Sequence, residues 1–162
     1  MSEFPDTRLR RLREQPAIRS MIRETRLTTS SFVYPMFIRH GSGIKETIDP
    51  MPGCYHISLD LLAEEVQEVY DLGIPAVLLF GLPADKDPLG TEAYDPEGII
   101  QEAIRIIKKA TPDLMVIGDV CLCEYTDHGH CGIINENQVD LSLIHISEPT
   151  RRTPISYAVF CL

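Results

Sequence analysis

Residues 58–80 read SLDLLAEEVQEVYDLGIPAVLLF, and the period of their polarity changes partway along. In the first part Leu62, Val66 and Val69 recur at helical spacing, with Glu64, Glu65, Glu68 and Asp71 on the opposite side. This predicts an amphipathic helix. Ser58 or Asp60 can cap its start, and Gly73 stops it after about Leu72. Residues 76–80 (AVLLF) are then apolar without alternation, as expected of a strand covered on both faces.

The same two signals repeat on either side. Upstream, residues 32–38 (FVYPMFI) form a first strand, although Pro35 cannot donate to a ladder, and a Gly- and Pro-rich loop follows over 41–53. Downstream, Asp95-Pro96 supplies a cap and a first-turn proline for a helix to about Ala110, with Ile100, Ala103, Ile104 and Ile107 as its buried stripe. Residues 114–120 make the third strand. Strand, helix, strand, helix, strand, with apolar strands, means parallel β/α units. Residues 1–29 differ. They are polar and Arg-rich, with one helical stretch over 16–25 that carries Ile18, Met21 and Ile22 on one side. Such an extension has little to bury on itself and is expected to dock on a neighbour. Neither Gly81-Leu82-Pro83 nor Gly90 has the spacing of a phosphate cradle, which gives a nucleotide fold little support.

A chain of 162 residues is one domain's worth, or a piece of something larger. Its 44% hydrophobic and 24% charged residues are those of a packed globular chain. A net charge of −9 disfavours nucleic acid as a partner of the whole surface. The basic cluster Arg8, Arg10, Arg11 and Arg13 is explained more simply by a solvated or partner-contacting arm. No apolar stretch is long enough to span a bilayer, and the amino terminus has no apolar signal core, so no membrane association and a cytoplasmic location are expected. Five cysteines, three of them in ligand spacing, point to a reducing compartment rather than a disulfide framework.

Those three follow the third strand, in LMVIGDVCLCEYTDHGHC (114–131). The apolar run ends in Asp119 and then supplies Cys121, Cys123, His128, His130 and Cys131, at the strand end where active groups gather in parallel sheets. Cys121 and Cys123 are two apart, so an extended chain presents both on one face. Gly129 and Gly132 allow a sharp return that brings Cys131 back to them. Three thiolates at ~2.3 Å would leave the fourth tetrahedral position of Zn²⁺ open, the catalytic rather than the structural pattern. Thiolates also favour zinc over magnesium or calcium. Other readings stand beside this one. Cysteines serve as small buried hydrophobes, and His128 or His130 could close a four-ligand site. Either histidine alone is more simply a loop hydrogen-bonder or a support for a ligand. Asp119 either caps the loop or acts on a substrate electrostatically. A Cys121–Cys123 disulfide would have poor geometry.

Four stretches, RETRLTTSSFVYPMFI (23–38), SLDLLAEEVQEVYDLGI (58–74), YDPEGIIQEAIRIIK (94–108) and GDVCLCEYTDHGHCGII (118–134), together resemble the zinc-dependent porphobilinogen synthases, also called 5-aminolevulinate dehydratases. The resemblance covers nearly all of residues 1–140. It implies an α/β fold, a (β/α)₈ TIM barrel of which this chain holds about the first three strand-helix units, preceded by an extended amino-terminal arm. It implies that residues 1–29 embrace a neighbouring subunit in a homo-octamer. The implied reaction condenses two molecules of 5-aminolevulinate, with loss of water, to porphobilinogen in haem and other tetrapyrrole biosynthesis. By the same resemblance Cys121, Cys123 and Cys131 are the zinc ligands and Asp119 is an active-site carboxylate. Magnesium-type relatives carry aspartates in place of these cysteines.

The family also uses two lysines that form Schiff bases with substrate. Lys45, Lys86, Lys108 and Lys109 fall in loops or on solvated helix faces, and none matches the family's lysine motifs, which come later in the barrel. The chain by itself is therefore expected to be inactive. A non-catalytic zinc-binding module remains an alternative. So does a thiol redox protein using Cys121 and Cys123, which would require depressed thiol pKa values and no metal.

After Asp140 the text changes character. LSLIHISEPTR (141–151) resembles the translation of a transposase mosaic end and adapter used in preparing sequencing libraries. Arg152, Thr153 and Pro154 occupy the place of a variable index, and ISYAVFCL (155–162) resembles the flanking adapter. The expectation is a first part of a barrel over 30–140 and a non-native read-through tail over 141–162. The alternative is a terminal hairpin, with residues 141–146 and 155–160 flanking Glu148-Pro149. A closed barrel usually takes about 250 residues, so three units cannot close one.

Overall fold

The computed structural model describes residues 10–135 and 138–139. The start of the arm (1–9) and the expected tail (141–162) lie outside the described residues. In chain order the elements are α1 (Arg11–Glu14), α2 (Pro16–Met21), β1 (Val33–Arg39), β2 (Lys45–Thr47), β3 (Tyr55–Ser58), α3 (Leu59–Asp71), β4 (Ala76–Leu82), α4 (Ile99–Ala110) and β5 (Met115–Gly118), followed by the short hairpin β6 (Ile134–Asn135) and β7 (Gln138–Val139). The main sheet runs β2-β3-β1-β4-β5. Strands β3, β1, β4 and β5 are parallel, and β2 lies antiparallel on β3. Helices α3 and α4 make the crossovers, so β3, β4 and β5 are joined as successive parallel β/α units.

Burial alternates along β4, and the alternation separates two faces. Val77 and Leu79, with Met36, Ile38, Ile57 and Val116, pack against Leu62, Val66, Ile99 and Ile107 of the helices in one fully enclosed core. Each such side chain contributes roughly 1.5–3 kcal/mol through burial. The opposite face carries Pro35, Phe37, Leu78 and Phe80, all half-buried. Phe37 stacks on Phe80 with ring centroids 5.1 Å apart, and His56 meets Phe37 edge-on at 6.3 Å. Both faces are apolar because both are built to be covered, which explains why the sequence shows runs rather than alternation.

Several boundaries differ from the sequence reading. The stretch 41–58 contains β2 and β3, and β2 has no apolar signal because all three of its residues are exposed. Strand β3 joins β1 only from Phe37 onward, so Pro35 borders an edge without a partner among the described residues, a place where a missing N–H is tolerated. Ser58 is the residue before α3 but makes no side-chain cap. Its hydroxyl donates to Asp60 Oδ1 (2.5 Å) and accepts the Ile44 N–H (2.9 Å), which ties down the glycine loop instead. Asp95-Pro96 does not open α4. Asp95 Oδ1 accepts the Glu97 N–H (2.8 Å) and its carbonyl accepts the Gly98 N–H (2.9 Å), closing a separate turn, and the helix starts at Ile99. The helical stretch expected over 16–25 ends at Met21, with a second short helix ahead of it.

Candidate metal centre at the end of β5

Strand β5 ends at Gly118, two residues earlier than the apolar run suggests. Asp119 still donates its N–H to Leu79 O at 3.1 Å, and its Oδ1 accepts the Cys121 N–H at 3.2 Å. That side-chain-to-backbone turn draws the chain out of the ladder. Cys121 remains extended, whereas Leu122–Glu124 wind into a single 3₁₀ turn. The two cysteines therefore do not meet as neighbours on one strand face. The turn folds Cys123 back, and its sulfur lies 2.9 Å from that of Cys121.

Cys131 returns to the same point, with its Sγ 2.9 Å from Cys121 Sγ. The return is made at Gly129, whose φ of 71° is left-handed. Gly132 has another use, since a Cβ there would stand 2.8 Å from Val139 Cγ1. Buried Thr126 closes the loop by donating from Oγ1 to His130 O at 2.9 Å. All three sulfurs lie within 4.8 Å of one another, and among the described residues this is the group able to hold a metal ion. The donor set fits a thiophilic divalent cation. A tetrahedral ion with bonds of ~2.3 Å keeps its sulfurs ~3.8 Å apart, so a spread of under ~1 Å would seat one.

The histidines take supporting places. His128 Nδ1 accepts the His130 N–H (3.1 Å), so its proton sits on Nε2, which faces Pro88 O at 3.3 Å. The two rings stack with centroids 5.7 Å apart. Neither joins the sulfur group, and the four-ligand arrangement is not assembled among the described residues.

Burial, followed by the hydrogen bonds with Cys123 and Cys131, pushes the Cys121 thiol up to about 12. A redox-active cysteine requires the opposite shift. A bound cation would reverse the balance, because metal ligation selects the thiolate. Glu124, which the sequence reading passed over, is pushed up to about 7, by burial first and then by the charge of Asp119. The Gly81 backbone and Lys86 pull it partly back. Its position directly after the second cysteine was the available clue. Tyr125 lies over β4, and a Cβ on Gly81 would collide with its hydroxyl. Burial raises that phenol as well.

Of the four lysines, Lys86 is the one whose charge acts on Glu124. Lys45 stands in β2 rather than in a loop and pairs with Glu65 at 2.6 Å. Lys108 donates to Pro112 O (3.1 Å) and Leu114 O (2.8 Å) beyond the end of α4. No helix among the described residues is long and apolar enough to cross a membrane.

The sequence profile of the delta-aminolevulinic acid dehydratase family matches residues 6–150. A delta-aminolevulinic acid dehydratase of Halalkalibacterium halodurans is 52% identical over 132 residues, covering 82% of this chain and 40% of the relative. One from Synechococcus elongatus is 47% identical over 159 residues, covering 96% and 48%. Among solved structures, the delta-aminolevulinic acid dehydratase (porphobilinogen synthase) of Toxoplasma gondii, in complex with the reaction product porphobilinogen, superposes with a TM-score of 0.85 at 31% identity. That likeness covers 94% of this chain and 44% of the other. The chain thus spans less than half the length of these relatives. Since both the profile and the superposition run through most of its residues, the chain belongs to the delta-aminolevulinic acid dehydratase family.

Proposed function

We propose that the protein containing this segment condenses two molecules of 5-aminolevulinate to porphobilinogen, using zinc held by Cys121, Cys123 and Cys131 beside Asp119. The observation that carries this reading is the convergence of three sulfurs at the carboxyl end of a parallel strand, in a chain of this family. The soft, all-sulfur donor set favours zinc over magnesium. When bound, zinc supplies a Lewis acid able to polarise a carbonyl or hold an amine at its open position.

The chain's own residues prepare the surroundings. Asp119 is held by its two hydrogen bonds and presents a carboxylate to the ammonium end of a substrate. Glu124, poised at about 7, can take or return a proton at its carboxyl near neutral pH. Phe37 and Phe80 stack on the sheet face opposite the helices and give that face an apolar surface. The Schiff-base amines belong to the part of the barrel beyond this segment, so the chain alone makes no porphobilinogen. Residues 1–29 act as the arm of a homo-octamer, a role supported by Met21 and Leu27, which are 79% and 75% exposed. Free thiols at Cys54, Cys121, Cys123 and Cys131 suit the cytoplasm.

The test is an assay of porphobilinogen formation by this chain alone and by the chain joined to the downstream half of a family member. Turnover by the joined protein and none by the chain alone is expected. An inactive joined protein that is folded and loaded with zinc would overturn the assignment.

A further inference from the structure

The loop after β4 carries an aspartate that the reaction outlined above does not use. Asp87 shapes its own turn. Its Oδ1 accepts the Leu89 N–H (2.7 Å), its Oδ2 accepts the Thr91 N–H (2.9 Å), and its carbonyl accepts the Gly90 N–H (3.2 Å). Gly90 sits at φ 62°, and a Cβ there would lie 3.3 Å from Tyr125 Cβ. The turn aims the main chain at the cysteine loop. The Asp87 N–H donates to Tyr125 O and the Asp87 carbonyl accepts the Asp127 N–H, both at 3.3 Å, as a one-residue parallel bridge opposite Thr126. One residue on, Pro88 O faces His128 Nε2 at 3.3 Å. Residues 87 and 88 are thereby fastened to the arc 125–128, midway between Cys123 and Cys131.

We propose that Asp87 is the positioning residue of the metal centre: its carboxylate builds the turn whose main chain holds the arc that sets Cys131 against Cys121 and Cys123. This rests on the reading of the three cysteines as metal ligands. Seven residues separate Cys123 from Cys131, and ordering them at the moment of binding would cost conformational entropy and weaken the site. A loop already fastened at its middle does not incur that cost. His128 joins the fastening from the other side, since its ring bridges Pro88 and the His130 N–H.

The experiment titrates cobalt(II) into the full chain and follows the thiolate charge-transfer band, with amide hydrogen exchange on the metal-free protein. Asp87→Ala is expected to weaken cobalt binding about tenfold or more, a loss typical of a residue that supports a ligand rather than being one. Exchange should rise across 121–131 and stay unchanged in α3, and the saturated band should keep its shape because all three ligands remain. Asp87→Asn can still form the turn with the Leu89 N–H and should recover most of the affinity. Should Asp87→Ala loosen α3 as well, Gly90→Ala takes its place, because it strains the same turn, and the same loss is required of it. Wild-type affinity and protection in these variants would overturn the proposal while leaving the ligand reading intact. No thiolate band in the wild-type chain would remove the ligand reading and the proposal together.

Discussion

The sulfurs of Cys121 and Cys131 stand 2.9 Å apart although ten positions separate them in the chain. The return is built from the left-handed Gly129 and the Thr126 hydroxyl on His130 O, and the 3₁₀ turn after Cys121 places Cys123 at the same distance. Burial and the two neighbouring sulfurs make the Cys121 thiol hold its proton tightly at the point where a cation would release it.

Metal uptake should therefore be linked to proton release. The Cys121 thiol, pushed from 9.0 up to about 12, is protonated at neutral pH, so zinc must displace at least that proton. Affinity is expected to rise with pH, and an indicator dye should record acidification on adding zinc. The metal-free fold keeps this proton where the unfolded chain has lost it, so its stability should fall as pH rises from about 9 toward about 12. Metal uptake with no proton released would contradict this.

Glu124 gives a second pH signature. Its folded value of about 7 lies above the ordinary 4.5, so the fold holds a proton that the unfolded chain gives up between these values. Stability should decline as pH rises through that window. Glu124→Gln should abolish the decline and unfold at a higher urea concentration than the wild type above neutrality. Parallel urea midpoints for the two proteins across the window would contradict the environment described for Glu124.

Gly81 is required for the approach of the cysteine loop to β4. A Cβ there would meet the Tyr125 hydroxyl, Ile100 Cγ1 at 2.7 Å and Ile99 Cγ2 at 3.1 Å. Gly81→Ala is expected to cost about 1–3 kcal/mol through overpacking. Thermal unfolding measures it, and an unchanged midpoint would show that Tyr125 is free to move aside.

The elements with one dominant signal were legible in the sequence. The helical period of Leu62, Val66 and Val69 and the apolar runs before Gly81 and Gly118 gave the β/α order, because tertiary burial and local pattern agree there. Strand β2 was not legible, since its three exposed residues owe their conformation to pairing with β3 rather than to composition. The start of α4 was misplaced because Asp95 serves a turn of its own. In the candidate site the return of Cys131 to Cys121 and Cys123 is legible from spacing, but the means of bringing them together is not. The expected strand face is replaced by the turn from Asp119 Oδ1. Glu124 and Asp87 carry no distinctive signal in the sequence, because one depends on burial and the other on a contact between loops distant in sequence.

Cys121, Cys123 and Cys131 together are expected to hold one zinc ion. The zinc-to-protein ratio of the wild-type chain and of Cys123→Ala, after exhaustive dialysis against trace zinc, tests this. One zinc per wild-type chain, falling toward none in the variant, is the expected result. No zinc in the wild type, or an equal ratio in both, would contradict it.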